Sequence, residues 1–399
     1  MSSQLKFSRT EFAGSLGDLG TLLPLSVGLI AINHLDATGI FFTIGLFYIF
    51  SAFYFRVTSP VEPMKVISGY AIATAIPAVQ IQASCFWVFL ILLVLGATGL
   101  IDLITKYISK PVVRGVQLST GILLLSQGIR LMTGTSAVQL AQGSAEPFLL
   151  FDTVAGVPIG ILLGGALGVL CLFLLDNKRL PAAVVVVGSG MAIGLLFGGT
   201  LGGGWADFGF NLPPVLPYGL PTMSDFSFAL IVLVLPQIPM TVGNAIIANA
   251  DLSRQYFQEN SARVTHKRLC LSMALANFVS FFLAGFPMCH GAGGLASRYR
   301  FGARTGGSNL IIGMVFLLIA ILFGTGTLAI VQLIPLSVLG ILLVFAGGQL
   351  GLSIVDLLTR KELFVILMIV GITLASNLAA GFIAGIAIDR MVRWEKLSI

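Results

Sequence analysis

Residues 61–69 read VEPMKVISG, and residues 285–294 read GFPMCHGAGG. From Pro63-Met64 to Pro287-Met288 the offset is 224, and the same offset relates Gly69 to Gly293, Pro111 to Pro335 and Leu118 to Leu342. A spacing held over several positions marks an internal repeat. Each Pro-Met pair opens a short segment, residues 66–77 and 291–300, which as helix reach about 18 Å and 15 Å at 1.5 Å per residue. That is half of a bilayer core of about 30 Å. Both are therefore expected to be half-helices entered through extended chain.

Around them the chain is apolar. Of its 399 residues 57% are hydrophobic and 10% charged, with a mean hydropathy of +1.01, where soluble domains carry about 25% charged residues. Runs near bilayer length stand at 12–33, 38–56, 82–105, 111–130, 153–175, 180–198, 225–248, 268–284, 307–330, 335–355, 362–377 and 379–392. Adding the half-helices predicts an all-α polytopic membrane protein of fourteen segments, seven in repeat 1–200 and seven in repeat 225–399. An odd number per repeat inverts the second in the membrane, the architecture of secondary transporters.

Basic side chains accumulate in cytoplasmic loops. With the N-terminus inside, every lysine and arginine falls on the cytoplasmic side except Arg130 and Lys65; Lys106, Lys178, Arg179, Arg298, Arg300 and Lys396 are among those placed there. Both termini are then cytoplasmic, in a plasma or inner membrane. The N-terminal segment with Lys6, Arg9 and Glu11 has no apolar h-region, so no cleaved signal peptide is expected. A net charge of +6 spread over loops does not make the basic stripe that nucleic acid requires. Cys85, Cys171, Cys270 and Cys289 lack CxxC spacing, and neither disulfides, a metal nor a cofactor is expected.

A helix that starts inside a membrane leaves N–H groups unpaired unless something accepts them, and an anion is the natural acceptor. Two such starts, each worth roughly +0.5 charge, together with Lys65 come to about +2, less whatever Glu62 and Asp18 subtract when ionised. That suits a tetrahedral dianion. An intramembrane lysine is functional by default, its alternative being a structural pair with Glu62 or Asp18. Asp18, in SLGDLGTLLPL, is either a site residue or a cap at a bend, and Glu62 either a cap or a proton-coupling group. Gln237, Thr241 and Asn244 in LPQIPMTVGNAI share a polar helical face, lining a pocket or bonding between helices. Cys289-His290 are adjacent in extended chain and point in opposite directions.

GDLGTLLPL, VEPMKVISG, LPQIPMTVGNA and FPMCHGAGGLASRYRFGARTGG resemble the signature segments of MOT-type molybdate transporters, a branch of the sulfate permease superfamily. The resemblance implies a uracil-permease-like fold of seven plus seven segments. In it a core, here 11–105 plus 225–330, carries the anion past a gate, here 106–200 plus 331–393, by an elevator movement. It further implies substrate contacts from Pro63, Met64, Lys65, Cys289, His290 and Gly291, and from Asp18 and the Gln237–Asn244 stretch. A homodimer built on the gate is expected, and no soluble regulatory domain after Arg393-Trp394. A sulfate or nucleobase carrier on the same scaffold is the closest alternative. A passive anion channel and an intramembrane enzyme using Cys289 and Glu62 are more distant ones.

Importing a dianion against an inside-negative potential costs about 4.6 kcal/mol per 100 mV, plus about 1.4 kcal/mol per tenfold of accumulation. A coupling ion is required. Asp18, Glu62 and His290 offer titratable groups around Lys65 and favour protons, with sodium as the alternative.

Overall fold

The computed structural model describes residues 5–100, 109–154, 156–175, 177, 180–198, 209–324, 326–357 and 359–393. Lys106, Lys178, Arg179, Trp394 and Lys396 lie outside them. The chain opens with α1 (Arg9–Ser15), capped by the Ser8 hydroxyl, and α2 (Leu19–Ala31), bent by 41° from α1. Next come α3 (Ala37–Phe55), the two-residue strand β1 (Glu62–Pro63), α4 (Lys65–Thr74) and α5 (Ala78–Thr98). Then follow α6 (Lys110–Thr133), α7 (Ala137–Gln142), a small hairpin of β2 (Thr153–Val154) and β3 (Val157–Pro158), α8 (Ile159–Leu174) and α9 (Ala182–Phe197).

The second half begins with α10, a 41-residue helical run from Met223 to Arg263. Pro236 and Pro239 withhold their N–H groups from it, and it widens to π-helix over Ala229–Val234 and Thr241–Ala248. Such widening is common at functional sites. After it come α11 (His266–Phe282), β4 (Met288–Cys289), α12 (Ala292–Arg300), α13 (Gly307–Phe323), α14 (Gly326–Gln332), α15 (Leu336–Gly351), α16 (Arg360–Ala375) and α17 (Leu378–Val392).

Among the described residues five single helices are long and apolar enough to cross a bilayer, or seven when each bent pair counts as one. Two of the apolar runs, 153–175 and 180–198, are shorter as helices than as sequence, and α8, α9 and α16 each hold 16 residues, about 24 Å of rise. Large apolar side chains face outward from them, Phe173 at 82% exposure and Leu196 at 74%. Such a surface suits lipid and not water. The chain is an integral membrane protein.

The two short segments expected from the sequence stand at α4 and α12. The extended residues before them pair antiparallel, Glu62 opposite Cys289 and Pro63 opposite Met288. Pro63 and Pro287 lack an N–H, which limits the ladder. Asn277 completes it by donating to the Met288 carbonyl and accepting from its N–H, at 2.9 and 3.1 Å. Both helices therefore start from one β-ribbon buried between the halves of the chain.

Helix pairing exchanges the halves: α3 packs on α13, α11 on α5, and α6 on α15. The last contact is backbone on backbone. A Cβ on Gly121 would stand 2.6 Å from the Gly347 carbonyl oxygen, and one on Gly347 2.6 Å from that of Gly121. Seven residues along, Gly128 faces Gly340 in the same way. Only glycine allows this approach, as small-residue packing in membranes requires.

Candidate functional site

The α4 start is already capped. The Gln237 Oε1 of α10 accepts from the N–H groups of Val66 and Ile67 at 2.9 and 3.3 Å, and the Gln237 amide donates to Thr241 Oγ1 at 3.0 Å. Gln237 and Thr241 thus share a face, as their spacing predicts, but they spend it on the half-helix. Thr241 Oγ1 also lies 3.9 Å from the sulfur of Met64, the N-cap residue of α4.

The α12 start differs. Its N-cap is Gly291, which supplies no side-chain acceptor. Against this end lies the Glu62 carboxylate: a Cβ on Gly291 would fall inside it, and one on Gly294 would stand 2.5 Å from Oε1. Lys65 Nζ is 3.1 Å from Glu62 Oε2, the lysine side chain 15% exposed and the glutamate 1%. Asn244 approaches from α10, its Nδ2 3.4 Å from the same notional Cβ of Gly291.

Asp18 stands at the bend between α1 and α2, where it holds a buried cation. Its Oδ1 accepts from Arg298 Nη1 at 3.0 Å, and its Oδ2 from the Tyr48 hydroxyl at 2.6 Å. Arg298, fully buried, donates further to Thr58 Oγ1, the Ser15 carbonyl, Ser308 Oγ and Asn309 Oδ1 at 2.9–3.1 Å. All five guanidinium N–H groups are used. Arg298, counted from sequence among the cytoplasmic loop charges, is thus a buried residue and not a loop charge. The charge count is corrected as well: Lys65 and Arg298 are each matched by an acid, so the side chains of the site cancel and the surplus of about two positive charges is absent while Glu62 is ionised.

His290 turns away from this cluster. Nδ1 is 2.7 Å from the Pro60 carbonyl oxygen, so the hydrogen-bond network assigns the proton to it, and Nε2 then accepts from Ser272 Oγ at 2.9 Å. The ring packs against Phe47 and Phe55, with centroids 4.7 and 5.2 Å away. Cys289 points the other way, Sγ 4.0 Å from the Pro63 carbonyl oxygen, and is buried. His290 is a packed, fully bonded core residue and not a group facing Lys65.

Beside the half-helices lies a cavity of about 720 Å³. One wall carries Asp18, Glu62, Lys65, Asn244, Gly293 and Gly294; the other is built by α6, α8 and α15, with Arg114, Gln117 and Gln349. Of the residues expected from sequence, Asp18, Glu62, Lys65 and Asn244 reach this space. Pro63, Met64, Gln237, Thr241, Cys289, His290 and Gly291 form the frame behind it. Arg298 and Gln117 were missed. An acid in mid-span needing a partner was the available signal for Arg298, whereas nothing in the sequence marks Gln117.

Known proteins agree with this architecture. The chain is 28% identical over 97% of its length to molybdate transporter 2 of Arabidopsis thaliana, covering 88% of that protein. It is 29% identical over 96% of its length to molybdate transporter 1 of Chlamydomonas reinhardtii, covering 91% of it. Among solved structures it resembles the transmembrane domain of a cyanobacterial bicarbonate transporter, BicA, at TM-score 0.65 and 16% identity, covering 98% of this chain and all of that one. Murine Slc26a9, an anion transporter in an inward-facing state, matches at TM-score 0.66 and 13% identity over 97% of this chain and 69% of its own. These two likenesses establish the fold. Residues 10–124 and 229–350, more than half of the chain and including both half-helices, match the family described as "Molybdate transporter of MFS superfamily", and the chain belongs to that family of transporters.

Proposed function

We propose that this protein is a secondary active importer of a tetrahedral oxyanion, molybdate, coupled to protons. The observation that carries the reading is the cavity into which Lys65 and the uncapped start of α12 open, between elements of the two repeats. A largely buried lysine beside a helix start that no side chain caps, on the wall of a cavity, suits an oxyanion, and the relatives' names supply molybdate among the tetrahedral dianions. Fourteen segments as inverted repeats are supported by the antiparallel β-ribbon and by the exchange of α3–α13 with α11–α5. The cavity is lined by residues of 11–105 plus 225–330 on one side and of 106–200 plus 331–393 on the other, which supports a core moving on a gate, with the gate as the surface of a homodimer. Asp18 is bound to Arg298 and His290 to its frame, which leaves Glu62 as the proton carrier the geometry favours.

Uptake of labelled molybdate into proteoliposomes tests this. Competition by tungstate and sulfate but not uracil, with uptake driven by an inward proton gradient in the absence of sodium, is expected. A sodium requirement with indifference to pH would refute proton coupling, and competition by uracil alone would refute the substrate class.

The position of the anion has its own test. A leucine at Gly291 would fill the space in front of the α12 start. Gly291→Leu should weaken molybdate binding at least tenfold, about 1.4 kcal/mol, as measured by equilibrium binding. Unchanged affinity would put the anion elsewhere.

A further inference from the structure

The described buried acids are not held alike. Glu11 accepts from the backbone N–H groups of Arg304 and Thr305 and from the Thr305 hydroxyl. Glu146 accepts from the N–H groups of Leu336 and Ser337 at the α15 start, at 2.9 and 2.8 Å. Asp18 has Arg298 and Tyr48. Each is anchored by several directional donors, as a structural buried carboxylate should be. Glu62, equally buried, is given no backbone or hydroxyl donor; its one close partner is Lys65 Nζ, 3.1 Å from Oε2.

Its surroundings are made for an anion. Gly291, Gly293 and Gly294 clear the first turn of α12, so that the carboxylate and the lysine head group both fit against the positive end of that helix. Of the two cations nearest Glu62, Arg298 has no donor to spare. Lys65 has one acidic partner and borders the cavity, as Glu62 does. We infer that the Glu62 carboxylate is a tethered stand-in for the transported oxyanion, resting on Lys65 and the α12 start when the site is empty and leaving them when the oxyanion arrives.

The exchange is one of charge. With Glu62 ionised, a dianion entering beside it would add like charge at close range in a poorly screened site. When Glu62 takes a proton from water in the cavity, its carboxylate becomes a neutral carboxyl group and the Lys65 ammonium is released to the oxyanion. One proton is then bound per anion. The charged or titratable groups facing Glu62 are Lys65 on its own segment, Asp18 from the α1–α2 bend, and Cys289 and Arg298 from the second half-helix segment. Asp18 and Arg298 are tied to one another, which leaves Lys65 to change partner.

The inference rests on the proposed oxyanion site and is tested on the full chain in nanodiscs. Molybdate binding is measured by calorimetry between pH 5.5 and 7.5 for the wild type, Glu62→Gln and Glu62→Asp. The wild type should weaken about tenfold as pH rises. Glu62→Gln should bind at pH 7.5 about tenfold more tightly than wild type and lose the pH dependence, because its neutral amide does not compete. Glu62→Asp, a methylene shorter, should bind more tightly than wild type at pH 7.5, and it carries the test if the glutamine protein is not monodisperse. Weaker binding by either variant, or a slope in Glu62→Gln equal to that of wild type, overturns the inference. Wild-type binding that is flat with pH also overturns it while leaving the oxyanion site standing. A wild type that binds none of molybdate, tungstate or sulfate refutes the oxyanion site and the inference together.

Discussion

Proteoliposomes carrying Lys65→Gln should accumulate no molybdate above protein-free vesicles, a loss of at least a hundredfold, about 2.8 kcal/mol at 1.4 kcal/mol per tenfold. Lys65 borders the cavity beside the α12 start, with Glu62 as its one close acidic partner. An oxyanion beside α12 would lose its charge-assisted partner with it, and such bonds contribute about 1.5–3 kcal/mol each. The single variant also strands Glu62 in a buried site, and breaking a buried pair from one side costs about 3–5 kcal/mol. The double variant Lys65→Gln with Glu62→Gln removes that penalty. It should be monodisperse and thermally stable yet still fail to bind molybdate. Wild-type uptake by a well-expressed Lys65→Gln protein would remove Lys65 from the site.

Arg298 should matter as much, through the fold. Its guanidinium ties α12 to the α1–α2 bend, to Thr58 ahead of the ribbon and to Ser308 and Asn309 at the start of α13. Arg298→Met should lower stability by about 3–5 kcal/mol, since Asp18 is then buried without its cation. Adding Asp18→Asn should recover part of the loss. Arg298→Lys should not restore it, because a lysine offers three donors to five acceptors and no planar fork. Thermal unfolding followed by size exclusion reads this directly. A single variant as stable as wild type would mean that the network is incidental.

The two short helices were legible in the sequence because they depend on local chemistry. A Pro-Met pair before a short apolar run marks an extended entry to a helix from backbone chemistry alone, and apolar length measures against the bilayer without reference to neighbours. The offset that joins Pro63-Met64 to Pro287-Met288 located α4 and α12 to within three residues at either end. The candidacy of Lys65 followed in the same way, since a lone lysine between apolar runs carries a cost that only a partner or a ligand offsets.

What each polar group does was decided in three dimensions. Gln237 and Val66 are 171 positions apart, and no spacing rule tells that the glutamine caps α4 and not a substrate. Asp18 and Arg298, 280 apart, meet because the α1–α2 bend packs beside α12. Counting loop charges put Arg298 among the cytoplasmic loop residues, for the positive-inside rule scores sequence neighbourhood and not burial. Cys289 and His290 were expected to diverge from extended-chain geometry, and they do, but only the packing of Phe47, Phe55, Ser272 and Pro60 determines which of the two faces the core. Chain composition and apolar run length thus determined the membrane class and the short segments, because those arise from solvation and backbone geometry residue by residue. The division of buried acids into anchored Asp18, Glu11 and Glu146 and unanchored Glu62 arose from tertiary structure, because hydrogen-bond donors that satisfy a carboxylate come from distant parts of the chain.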